Sequence, residues 1–89
     1  MASQPDPAVR AKAIVKLGNI GAREPEGIDT IIAALDDSAS EVRKVAIYAV
    51  VRIGTPCSDA FEKLESMSRD DADPEIRKIA KEAYGNLTK

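Results

Sequence analysis

Few side chains in this sequence could do chemistry. Cys57 is the single thiol, Asp36-Asp37 and Asp70-Asp71 are adjacent carboxylate pairs, and Arg10, Arg43 and Arg77 recur 33 and then 34 residues apart. Histidine is absent, which removes the commonest general acid/base and the commonest metal ligand. Cys57 falls just after Pro56, where a helix N-terminus would favour a thiolate. Asp59 opposes that, and no imidazole is present to take the proton. The thiol therefore reads as incidental, with a redox or modification role as the alternative. Neighbouring residues on a helix point about 100° apart, so the carboxylate pairs do not converge on a metal or form an acid/base dyad. They read instead as caps or as wet loop residues. Gly18, Gly21 and Gly27 lack the spacing and the preceding strand of a phosphate-binding loop. No catalytic residue, metal ligand or cofactor site follows from these residues, and the expectation is a non-enzymatic protein.

The bulk properties point the same way. Eighty-nine residues suffice for one small domain. No run approaches the ~20 apolar residues of a membrane span, and Met1-Ala-Ser-Gln-Pro is no secretory signal, so no membrane partner is expected. A net charge of −2 gives no overall pull towards nucleic acid or acidic membranes. One cysteine cannot form an internal disulfide, which fits a cytoplasmic setting.

Residues 1–5 read as a flexible tail and 6–89 as one domain. Asp6-Pro7 has the form of an N-cap and first helical residue, opening a helix with Val9, Ala13, Leu17 and Ile20 on one stripe. Gly18 inside it costs ~1 kcal/mol against alanine, which close packing could offset. Glu24-Pro25 opens a second helix with Ile28, Ile31, Ile32 and Leu35 inward. Ser38 and Glu41 stand in capping-box relation ahead of a third helix over 40–53. Val42, Val45, Ala46, Ala49, Val50 and Ile53 line that helix, and Ile47, Tyr48 and Val51 widen the stripe until most of its circumference is apolar. Such a helix is normally covered on several sides. Thr55-Pro56 opens a fourth helix, with Ala60, Phe61, Leu64 and Met67 inward. Asp73-Pro74 opens a fifth, burying Ile76, Ile79, Ala80, Ala83, Tyr84 and Leu87. The expected fold class is all-α, five helices without strands.

The odd-numbered helices overlay. Val9, Val42 and Ile76 correspond, each followed by an arginine; then Ala13, Ala46 and Ala80; then Leu17, Val50 and Tyr84; then Ile20, Ile53 and Leu87. Two helices per period of this length signal an α-solenoid. The pattern Pro-x-Val-Arg-x-x-Ala-x-x-x-Leu-x-x-Ile-Gly resembles HEAT repeats, especially the short type of bilin lyases and many prokaryotic proteins. It covers almost the whole chain as repeats 6–37 and 38–71 and a half repeat 72–89. The resemblance implies a right-handed stack in A-B-A-B-A order whose interior rung is the helix over 40–53. It also implies that the recurring arginines pair with acidic and backbone groups between repeats; Asp6 and Asp73, four residues ahead of Arg10 and Arg77, suit local pairing as well.

Function must then lie on surfaces. The A helices carry ten lysines and arginines against Glu41, Glu75 and Glu82, while the B helices and their exits carry Asp29, Asp36, Asp37, Asp59, Glu62, Glu65, Asp70 and Asp71 against Lys63 and Arg69. In the family the B helices line the concave side, which here carries Glu26, Asp29, Thr30, Asp59, Glu62, Lys63 and Ser66. The expectation is a protein-interaction scaffold that takes a basic partner segment on this acidic B face. The alternatives are an accessory domain of a larger bilin-lyase-like protein and a nucleic-acid binder using the basic A layer. The last reading lacks an aromatic platform for bases. Ile79, Ala83 and Tyr84 on the last helix are expected to stay partly open, which would permit self-association through the ends.

Overall fold

The computed structural model describes residues 6–21 and 23–89; the expected tail at 1–5 lies outside them. The chain forms α1 (Pro7–Asn19), α2 (Pro25–Ala34), α3 (Ser40–Ile53), a 3-10 segment (Thr55–Ala60), α4 (Phe61–Asp70) and α5 (Pro74–Leu87). No strand occurs among the described residues.

Local chemistry sets most of the boundaries. Asp6 and Asp73 accept first-turn amides, from Ala8 N and Glu75 N at 2.9 Å each, with proline at the first helical position. Gly21 and Gly54, at φ of 64° and 78°, close off α1 and α3 in a region that side chains rarely enter.

Two expected starts differ. The Ser38–Glu41 capping box does not form: α3 is capped at Ala39 without a side-chain bond. The carboxylate of Asp37 takes the Ala39 amide instead, at 2.9 Å. Its position two residues upstream gives it the reach of an Asx turn. The repeat register puts Ala39 at the N-cap, where Asp73 stands ahead of α5, so the N-cap has no side-chain acceptor and Ser38 falls one residue outside the helix start. Thr55-Pro56 likewise opens a 3-10 turn rather than an α-helix. Cys57, at φ −100° and ψ 22°, breaks the helical geometry, and α4 begins only at Phe61.

α1, α3 and α5 form one layer and α2 with α4 the other. α3 packs against α1, α5 and α2, while α4 packs chiefly against α5. Each B helix therefore leans on the A helix that follows it. The core is a single cluster in which Ile31, Leu35, Val42, Ile47, Val50, Cys57, Leu64 and Ile76 are fully buried. Gly18 meets Ala49 so closely that a Cβ on it would stand 3.1 Å from the alanine's methyl and 3.2 Å from its Cα. Close approach of α1 and α3 is what this glycine supplies.

Three details of burial depart from the periodicity. In α1 the buried residues are Ile14 and Gly18, whereas Val9 and Ile20 are 45% and 68% exposed. The helix has neighbours on one side only, and it rolls to bring Gly18 onto Ala49. α3 is not covered all round: Val42, Ala46, Ile47, Ala49 and Val50 are buried, but Tyr48 and Val51 look outward. Both lie on the side of the A layer that no B helix covers. On α5, Ala83 is buried while Ile79 and Tyr84 are half-buried, so the flank expected to stay open is narrower.

Candidate interaction faces

The recurring arginines form a ladder. Arg10 grips Asp37 with Nε to Oδ2 at 2.8 Å and Nη2 to Oδ1 at 2.8 Å. Arg43 repeats the two-pronged grip on Asp71, at 3.0 and 3.1 Å, and donates from Nη1 to the carbonyls of Asp37 and Ser38 at 2.8 and 3.2 Å. Arg77 makes the equivalent main-chain bond, Nη1 to the Asp71 carbonyl at 2.7 Å. Asp71 also takes the amide of Asp73, as Asp37 takes that of Ala39. Arg43 thus ties its A helix both to the turn behind it and to the B-helix exit of its own repeat; Arg10 makes the second of these ties and Arg77 the first.

The side chains of Arg10 and Asp37 are each only 12% exposed. The bond to Arg10 holds the Asp37 carboxyl below its ordinary range, and the same bond raises the Arg10 guanidinium. The carboxylates of Asp6 and Asp73 each accept an amide at their own helix start, and Asp6 acts on Arg10 as a nearby negative charge, a weaker influence than the bond to Asp37. The signal for the true partners was in the sequence: Asp37 and Asp71 are 34 residues apart, within one residue of the 33 that separate Arg10 and Arg43. The carboxylate pairs accordingly split, with Asp37 and Asp71 turned into the ladder and Asp36 turned outward to pair with Lys63.

Of the acidic-face residues, Glu26, Asp29, Asp59 and Glu62 are exposed, and Thr30, Lys63 and Ser66 are half-exposed. Thr30 returns its hydroxyl to the Glu26 carbonyl at 2.8 Å. Lys63 and Ser66 reach a cleft of about 330 Å³ between the end of α2 and α4, together with Asp36, Asp37, Asp70 and Asp71. Asp59 sits on the 3-10 turn rather than on α4. Cys57 is fully buried, and burial pushes its thiol up. The helix-dipole activation considered for it is lost because α4 starts four residues later.

A surface that periodicity did not reveal lies on the other layer. Tyr48 is 50%, Val15 41% and Val51 39% exposed. They line a cleft of about 460 Å³ between α1 and α3, with Gly18, Ala49 and Val45 in its wall and Arg52 beside it. Apolar periodicity counts such residues as core, because it cannot say which side of a helix stays bare.

Geometry and repeat together define an α-solenoid of stacked helical pairs. A family model for HEAT repeats matches residues 1–85, and the chain belongs to that family. No curated protein and no solved structure matches it. HEAT repeats generally mediate protein interactions, and none of the helices among the described residues is long and apolar enough to cross a membrane.

Proposed function

We propose that this chain is a non-enzymatic interaction module that captures a basic segment of a partner protein on its acidic B face. The observation that supports this reading most is the exposure of Glu26 and Asp29 on α2, Asp59 on the 3-10 turn and Glu62 on α4. The neighbouring cleft adds Asp70, which is exposed. Its two cations are balanced, Arg43 by Asp71 and Lys63 by Asp36, and Asp37 is balanced by Arg10, which leaves Asp70 as the surplus charge of the cleft. Charge of one sign on a partly walled surface steers a complementary segment and rejects a like-charged one. A cytoplasmic setting belongs to the proposal and is supported by a lone cysteine.

The test is a titration of the labelled protein with a lysine-rich peptide, followed by nuclear magnetic resonance. Shifts should cluster on α2, the 3-10 turn and α4, and weaken with salt. Reversing Asp29, Asp59 and Glu62 together should abolish them without unfolding the protein, since all three are exposed. Binding unchanged by that variant overturns the face.

A second reading, self-association through the ends, is favoured by one observation: Val9 and Ile20 are exposed on the outermost A helix. Sedimentation at rising concentration should then show dimers, and a strict monomer removes it.

A further inference from the structure

We propose that the cleft between α1 and α3, on the layer opposite the acidic face, is a second docking site. Its occupant is an amphipathic helix of a partner protein with an apolar stripe and acidic flanks.

The repeat supplies an internal control. The register that holds Val15 in α1 and Tyr48 in α3 holds Glu82 in α5, and the register of Val51 holds Gly18 and Gly85. The fold accepts a carboxylate or no side chain at these positions. Stacking therefore does not require an exposed tyrosine and two exposed valines side by side, and clustered apolar exposure of this kind marks interaction surfaces. The cleft of about 460 Å³ lies between two helices of 13 and 14 residues. A helix laid along such a groove anchors through side chains at i, i+3, i+4 and i+7.

Charge selects the occupant. Lys12 lies one turn before Val15 on the same side of α1, Lys16 is beside it, and Arg52 lines the other wall; all three are exposed. A smaller cleft of about 150 Å³ on the far side of Tyr48 and Val51 is flanked by Glu82 instead, so acidic flanks suit the first cleft and not the second. A second copy is a poor occupant in either orientation. Facing A layers oppose like charges, and none of the exposed large apolar residues lies on α2 or α4 to fill the cleft from a B layer.

The experiment uses the full chain and two synthetic helical peptides that share one leucine stripe, flanked by glutamate in one and by lysine in the other. The glutamate-flanked peptide should bind roughly tenfold tighter or better, shifting the amide resonances of Val15, Gly18, Tyr48 and Arg52. The K16E/R52E variant should reverse the preference. The Y48S/V51S variant should weaken both peptides while its thermal melt stays that of the wild type. Equal binding of the two peptides, shifts confined to α2 and α4, or a preference unmoved by K16E/R52E overturns the proposal. Two further outcomes also overturn it. One is sedimentation with phosphatidylserine-containing vesicles that Y48S/V51S abolishes, which assigns the surface to membrane. The other is a dimer that the same variant dissolves, which assigns it to a second copy.

Discussion

Arg43 and Asp71 meet edge to edge: Nε and Nη2 of the guanidinium reach the two carboxylate oxygens at 3.0 and 3.1 Å, across 28 residues of chain and with side chains only 15% and 7% exposed. The remaining prong of Arg43 closes the preceding turn through Asp37 and Ser38 carbonyls. One side chain therefore joins both turns that flank its repeat. Arg43→Ala and Asp71→Asn should each lower stability by about 2–4 kcal/mol, since each orphans charged or carbonyl groups in a half-buried place. The double variant should cost less than the two together. Arg43→Lys should rescue little, because an ammonium cannot span both oxygens and the carbonyls at once. Urea unfolding of the four proteins decides the matter.

The first rung gives a pH signature. Bonding to Arg10 lowers the folded-state pKa of Asp37 below its ordinary 3.8, so the unfolded chain binds the proton more readily. The stability this contributes is fully present above the ordinary carboxylate pKa and drains away as pH falls through the lowered value. Asp37→Asn should be less stable than wild type at neutral pH, and the gap should narrow below about pH 4. Melts at a series of pH values measure it, and a gap constant down to pH 2 contradicts the assignment.

Two glycines inside helices should respond oppositely to alanine. At Gly85 a methyl meets nothing within 4 Å, so Gly85→Ala should stabilise by about 0.5–1 kcal/mol through helix propensity alone. At Gly18 the same methyl would press on Ala49 at 3.1 Å, with backbone at 3.2 Å behind it. The two helices would have to part, and overpacking of this kind costs ~1–3 kcal/mol. Gly18→Ala should therefore be neutral at best, and melting temperatures rank the pair directly.

Cys57 should behave as a core residue. It has no measurable exposure, and burial pushes its thiol above the ordinary value. A thiol-specific disulfide reagent should label it only at the rate of unfolding, with no fast phase at neutral pH. Fast labelling of the folded protein contradicts the burial.

The stacking order was legible because apolar residues and arginines repeat together, and Asp6-Pro7 and Asp73-Pro74 announce their helices by cap chemistry that acts within three residues. What the pattern could not carry was lateral. Val9, Val42 and Ile76 share one register, yet Val9 is 45% exposed and the other two are buried to 1%, since α3 has helices on both flanks and α4 packs closely on α5, whereas α1 meets α2 only lightly. The same limit hid Tyr48 and Val51. The Ser38 capping box failed for a different reason: the repeat register puts the N-cap at Ala39, which has no acceptor, and leaves Ser38 one residue outside the helix. The acidic face was legible as charge, whereas its cleft depends on how α4 turns after the 3-10 segment, which the helical periodicity of Ala60, Phe61 and Leu64 passes over.

Tyr48 gives the molecule one further property. The chain has no tryptophan and only two tyrosines, and Tyr84 is half-buried on α5. Tyrosine emission therefore comes from just two rings on separate helices. With Tyr84 replaced by phenylalanine, the whole tyrosine signal would originate on the wall of the α1–α3 cleft, so the protein carries an intrinsic optical gauge of that surface without any attached dye.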